Sequence, residues 1–511
     1  MSTTIFETAV LQFHTDKMPF DLFENSELIE NNFGILTIKP NKCDPITVPI
    51  VIQCTIDISS SMTEPCEYRR DNSKNKIDFI KETLKKMLPY LLENFHMEIW
   101  IQIGLFNTTY TTLIPMQILL QSNLETLLET IDSIRCSECT NIEDALKKSS
   151  TIMKTSIDDN PEFKRLHIFL TDGNPTAGSG SVHDLEKLIS SEYPTLFIGY
   201  GEDHNSRLLK GCANKLLHSY QYVDNFEITG QVYAEMLYSL IYSAVEKPII
   251  IIESGQIYDA LNDIWTNRLE IPSFISEKEY IYHIISTNTR DTLVHIYDNN
   301  NNLLEMTPEL PSLMNEDGTL DILNLDKYIF KQKTMELLSG ILKVDDSDDI
   351  DRMDIIKRRK HELAEFYRLM RKYMRENEVT EDPFMKVLCE DLYISYQTAN
   401  TNYAEMNILS RLNAQATQGL YRSGSSNNRR QNVINDYSQN MGIQRMASNN
   451  IYQEEYIDEE YAEETQIDEH SNTAITQLDD IDSIENYQDD FVTQNIYSPC
   501  GMEQMGRIIS S

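Results

Sequence analysis

Apolar stretches of two kinds alternate along the first half of the chain. Residues 50–56 (IVIQCTI) are apolar without clean alternation, as a strand buried on both faces requires. A helix follows, with Ile77, Ile80, Leu84, Leu88 and Leu91 on one face, at the three- and four-residue spacing of an amphipathic helix. Residues 97–106 alternate through Met97, Ile99, Ile101, Ile103 and Leu105, and 112–119 reads as a second, edge-like strand. Helical patterns at 122–134 and 141–154 precede an apolar run at 166–170. Then come a helix at 182–192, an apolar run at 196–200, a helix at 205–217, a short strand at 220–223 and a helix at 228–246. Strands and helices in this order imply βαβ units, hence an α/β class with a doubly wound, mostly parallel sheet over 48–246.

The texture changes at Lys247. Short strand patterns at 249–253, 268–270, 280–286 and 292–297, separated by turn residues, predict a small β-sandwich over 247–324. Residues 1–47 read as a leader, in which 33–40 (FGILTIKP) is a candidate strand of that sandwich. The α/β domain would then be an insertion. Helical periodicity resumes over 325–420, where Leu363, Phe366, Tyr367, Met370 and Tyr373 form a stripe suited to the inner face of a helical hairpin. From 421 to 511 no period is sustained, and the expectation is a disordered acidic tail.

Charge narrows the partners. With Lys+Arg 44 against Asp+Glu 81, the net charge is −37, which repels phosphate backbones and anionic lipid. Direct nucleic-acid binding is therefore not expected. Residues 451–500 hold 15 Asp or Glu and no Lys or Arg, a solvated acidic run. No apolar run approaches the roughly 20 residues of a membrane span, and the N-terminus lacks a basic region followed by an apolar one. Eight scattered cysteines do not make a disulfide scaffold. The expectation is an intracellular, cytoplasmic protein that is not secreted; oligomeric state is left open.

In a doubly wound sheet, ligands collect beyond the C-terminal ends of strands where the strand order reverses. Directly after the first strand stands Asp57-Ile58-Ser59-Ser60-Ser61. Cys139-Thr140-Asn141 enters the 141–154 helix, and Thr171-Asp172-Gly173 follows the 166–170 strand. These segments resemble the metal-ion-dependent adhesion site of von Willebrand factor type A (VWA) domains: a DxSxS motif at Asp57, Ser59 and Ser61, then Thr140, then Asp172. Hydroxyl and carboxylate oxygens suit a hard cation, Mg²⁺ first and Mn²⁺ as the alternative. The resemblance implies direct ligation by Ser59 and Ser61, by Thr140 directly or through water, and Asp57 and Asp172 holding coordinated waters. Neutral hydroxyl ligands leave the ion positive, so it can accept a carboxylate from a partner protein.

Plainer readings of the same residues exist. Ser59 and Ser61 would serve as helix caps, Thr140 with Glu143 as a T-x-x-E capping box, and Asp172-Gly173 as an ordinary turn. The chain also departs from the family pattern: Ser60 stands where Gly is usual, Ser137-Glu138-Cys139 where glycines often precede the Thr, and residues 63–74 (TEPCEYRRDNSK) replace a short glycine-bearing link. Cys136 and Cys139 form a C-x-x-C beside the site with no second pair at zinc-ligand spacing. The functional expectation is a non-enzymatic, metal-dependent protein-binding module. The alternative is an accessory subunit of a separate AAA+ ATPase, since this chain has no phosphate loop.

Overall fold

The computed structural model describes residues 5–16, 19, 28, 31–64, 75–137, 139–201, 204–223, 226–307, 324–343, 349–399, 405–406, 408–409, 411–412 and 500–510. Two strands, β1 (Phe6–Phe13) and β2 (Asn32–Pro40), pair antiparallel at the start of the chain. The α/β unit follows with β3 (Ile50–Asp57), a 3₁₀ turn at Ser60–Thr63, α1 (Lys76–Asn94), β4 (Ile99–Phe106), β5 (Tyr110–Ile118), α2 (Gln121–Asp132) and α3 (Ile142–Asp159). It continues through β6 (Lys164–Thr171), α4 (Val182–Glu186), β7 (Thr195–Tyr200), α5 (Ser206–Cys212), β8 (Ser219–Val223) and α6 (Phe226–Ile241).

These strands make one sheet in the order β5-β4-β3-β6-β7-β8, parallel except for β5. The class is the α/β doubly wound fold expected, and the order reverses between β3 and β6. Alternation along β3 decides what lies where. Ile50, Ile52, Cys54 and Ile56 join the core that includes Ile80, Leu84 and Leu88 of α1, while Gln53, Thr55 and Asp57 stand on the other face. On that face Thr55 Oγ1 lies 2.9 Å from His167 Nε2 of β6, both buried. Phe106, Phe169 and Phe197 meet Ile142 and Leu146 of α3 in a second core there.

The 228–246 helix of the sequence reading is shorter than expected. It ends at Ile241, because the next residues are taken up as β9 (Ser243–Glu246), which pairs antiparallel with β14 (Ser273–Ile275). Likewise, 182–192 and 205–217 contract to α4 and α5. The antiparallel part adds β10 (Ile249–Glu253), β11 (Gln256–Asp259), β12 (Ile264–Thr266), β13 (Arg268–Glu270), β15 (Tyr280–Ser286), β16 (Leu293–Tyr297) and β17 (Leu303–Thr307). It forms sheets in the orders β1-β2-β15-β11-β12 and β13-β10-β16-β17. β2 pairs with β15 from Ile38↔Tyr280 to Asn32↔Ser286, so the chain leaves this sheet, builds the whole α/β unit and returns.

Helices α7 (Asp326–Leu342), α8 (Asp349–Glu376) and α9 (Pro383–Thr398) follow. The stripe Leu363, Phe366, Tyr367 and Met370 is buried between them, with Tyr373 half-buried beside it. Of the 421–511 span expected to be disordered, the described part departs from that expectation: α10 (Cys500–Ser510) is a helix packed against α6 and α1. Met502, Met505 and Ile509 lie at helical spacing and are buried in the core behind β3. The rest of that span lies outside the described residues. Among the described residues no helix is long and apolar enough to cross a membrane.

Candidate metal centre

The five residues singled out in the sequence meet at the switch point between β3 and β6. Asp57 ends β3, Ser59 and Ser61 stand in the turn that follows, Asp172 directly follows β6, and Thr140 precedes α3. Asp57, Ser59, Thr140 and Asp172 are buried. The Ser59 and Ser61 hydroxyl oxygens are 3.1 Å apart, and the Ser61 hydroxyl donates to Asp172 Oδ1 at 2.7 Å. A methyl group added at Gly173 would stand 3.4 Å from the Thr140 hydroxyl and 3.8 Å from the Ser61 hydroxyl, so these two oxygens flank one point.

Asp57 is held from both sides: the Ser59 N–H donates to Oδ1 at 2.8 Å and the Thr171 hydroxyl donates to Oδ2 at 2.6 Å. Burial pushes the Asp57 carboxyl up to about 7 despite these hydrogen bonds. Burial raises Asp172 as well, opposed mainly by Lys76.

The capping-box reading of Thr140 does not hold. Asn141 is the N-cap of α3, its side chain accepting from the Asp144 N–H at 3.1 Å, while Glu143 accepts from the Ser179 N–H at 2.7 Å. Thr140 is fixed through its backbone instead: its N–H donates to the Thr176 hydroxyl and its carbonyl accepts from Thr176 and Ala177. Its hydroxyl is not spent on the helix. Ser59 precedes the 3₁₀ turn without a side-chain capping bond.

Two features escaped the sequence reading. Thr171 clamps Asp57, and Lys76, the first residue of α1, puts Nζ 2.6 Å from Asp172 Oδ2 with both side chains buried. A signal for Lys76 was present: a cation in the first turn lies at the positive end of the helix dipole, an unfavourable place without an acidic partner.

The donor set fits a hard divalent ion. At about 2.1 Å per bond, neighbouring ligands of an octahedral ion lie about 3 Å apart, the separation of Ser59 from Ser61. A cation, the Lys76 ammonium, is already held by one of the donors. Among the described residues no group of three or more His, Cys, Asp or Glu could hold a metal, so a metal here depends on the hydroxyls. Cys136 and Cys139 are free thiols, and burial pushes Cys136 up to about 11, away from thiolate chemistry. A cavity of about 500 Å³ lies at the opposite end of the sheet. Two ion pairs lie along it, Lys278 with Glu235 at 3.7 Å and Lys164 with Glu246, and it does not reach Asp57 or Asp172.

The family model described as the von Willebrand factor type A domain matches residues 52–235. No curated protein matches the chain in sequence. Among solved structures, it is similar to a von Willebrand factor type A protein from Catenulispora acidiphila, at 13% identity and TM-score 0.48, covering 74% of this chain and 90% of that one. It is also similar to the ArnB paralog VWA2 from Sulfolobus acidocaldarius, at 15% identity and TM-score 0.43, covering 80% and 98%. A third likeness is to proximal thread matrix protein 1 from the mussel byssus, solved with a zinc-occupied MIDAS motif, at 21% identity and TM-score 0.28, covering 36% and 45%.

Proposed function

We propose that this chain, which carries a von Willebrand factor type A domain at residues 52–235, is a non-enzymatic protein-binding module. It holds Mg²⁺, or Mn²⁺, at the switch point and captures a carboxylate of a partner protein. The observation that carries this reading is the convergence of the Ser59, Ser61 and Thr140 hydroxyls with the Asp57 and Asp172 carboxylates at one strand edge. Ser59, Ser61 and Thr140 would hold the ion, and Asp57 and Asp172 its waters. When bound, the ion supplies a positive centre that a partner's carboxylate can reach.

The chain's own residues prepare that centre. The Ser59 N–H and the Thr171 hydroxyl fix both oxygens of Asp57, so its orientation is set before any ligand arrives. Asn141 takes over the cap of α3 and leaves Thr140 available. Neutral hydroxyl donors do not cancel the charge of a dication, so attraction for an anionic partner survives.

Calorimetric titration of the full chain with MgCl₂ and MnCl₂ tests the reading. We expect weak uptake of one ion, lost in Ser59→Ala, and Mn²⁺-dependent retention on immobilised peptides bearing a single aspartate, released by EDTA. A cooperatively folding protein that gives no heat with either ion would overturn it.

A further inference from the structure

We infer that Lys76 is a built-in competitor for the divalent cation: its ammonium occupies Asp172 until a metal ion displaces it. This rests on the reading of Asp172 as part of a metal site. Asp172 has both oxygens engaged, Oδ1 by the Ser61 hydroxyl at 2.7 Å and Oδ2 by Lys76 at 2.6 Å. Each oxygen keeps a further acceptor position, so a metal-bound water can reach Asp172 only beside one of these partners. A dication beside the Ser59 and Ser61 hydroxyls would share this carboxylate with the ammonium, and two cations on one buried carboxylate repel.

The ammonium lies in a formed seat. Gly201, at φ 74, closes over the lysine, and a methyl group there would stand 3.3 Å from Lys76 Cε and 3.5 Å from Nζ. A left-handed glycine lets the loop after β7 approach this closely. The backbone N–H of Lys76 donates to the Glu64 carbonyl at 3.1 Å, which anchors the start of α1 beside the turn carrying Ser59 and Ser61.

A place for the displaced group exists as well. Glu64 Oε2 is 3.5 Å from Nζ, and its side chain is 49% exposed. A short swing from Asp172 toward Glu64 carries the ammonium outward without leaving it unpaired. Metal binding thus moves one positive charge from the buried edge of the sheet to the surface beside the docking position, and metal affinity is set by how firmly Lys76 holds Asp172.

Two measurements on the full chain test this. Lys76→Gln keeps a hydrogen-bond donor for Asp172 and removes the charge. Its Mn²⁺ dissociation constant should fall about tenfold or more below that of the unaltered protein, the gain expected when a competing state no longer reduces the binding-competent fraction. The second measurement needs no variant: acetylation by an activated ester, read by mass spectrometry, should spare Lys76 in EDTA and modify it at saturating Mn²⁺. Equal Mn²⁺ affinity in Lys76→Gln, or Lys76 still protected at saturation, overturns the inference. If Ser59→Ala abolishes uptake while Lys76→Gln leaves it unchanged, the metal site stands and only the competitor role is lost. If neither the unaltered protein nor Lys76→Gln takes up Mn²⁺ while both unfold cooperatively, the metal-site reading fails and the inference falls with it.

Discussion

Two buried lysines, one in each half of the molecule, are treated in opposite ways. Lys76, 5% exposed, meets Asp172 at 2.6 Å and Glu64 at 3.5 Å. Lys331 of α7, 1% exposed, stands over the ring of Phe384 at 5.9 Å from its centroid. Burial alone pushes Lys331 down to about 7. Burying an ammonium costs several kcal/mol, and a carboxylate in good geometry offsets it where an aromatic face does so only in part. The pair at the sheet edge is therefore a stable arrangement that a stronger cation can exchange, whereas Lys331 is a standing cost among the helices.

The largest effect should come from breaking the pair. Asp172→Asn removes the main partner of Lys76 and leaves its ammonium only Glu64, 3.5 Å away, so it should cost about 1.5–3 kcal/mol in the metal-free protein, read by urea unfolding. The double variant Asp172→Asn/Lys76→Met should recover much of that loss, and a double-mutant cycle gives the coupling. A loss below about 1 kcal/mol in the single variant would mean the pair is solvated and the comparison fails.

Lys331→Met should act in the opposite direction and stabilise the protein. The folded value lies below the ordinary 10.5, so this lysine costs nothing above that pH. The cost accumulates as pH falls to about 7, at about 1.4 kcal/mol per unit, and is constant below. The advantage of the variant in thermal unfolding should therefore grow from pH 10.5 to 7 and then level off. A variant no more stable than the parent at pH 7 would show that Lys331 has a counter-charge.

Cys139→Ser should change least. Cys139 is exposed and free, so stability should move by less than about 0.5 kcal/mol, with Mn²⁺ uptake unchanged. Loss of uptake in this variant would move the site from the hydroxyls to the cysteines.

The sheet and the meeting point of the five residues were legible because both are local consequences of chain pattern. A short apolar run rich in β-branched residues such as 50–56 reads as a strand buried on both faces, and its polar continuation, Asp57 to Ser61, then emerges at its C-terminal end. The run at 166–170 delivers Asp172 in the same way. Right-handed crossovers then bring the two ends side by side. The acidic character of 451–500 concealed the apolar face of α10, because charge over that span outweighed three apolar residues at helical spacing.

Alternation and strand-end polarity are properties of neighbouring residues, so the sequence by itself determined the α/β class and the switch point, and its resemblance to von Willebrand factor type A domains picked out the five oxygen-bearing residues there. Only the tertiary structure decided which groups compete for those oxygens. Asn141 rather than Thr140 caps α3, Thr171 clamps Asp57, and Lys76 reaches Asp172 across 96 positions of sequence. Such contacts depend on the relative placement of whole elements and on a glycine at Gly201 that admits the lysine. Packing settles them only after the sheet and helices have assembled.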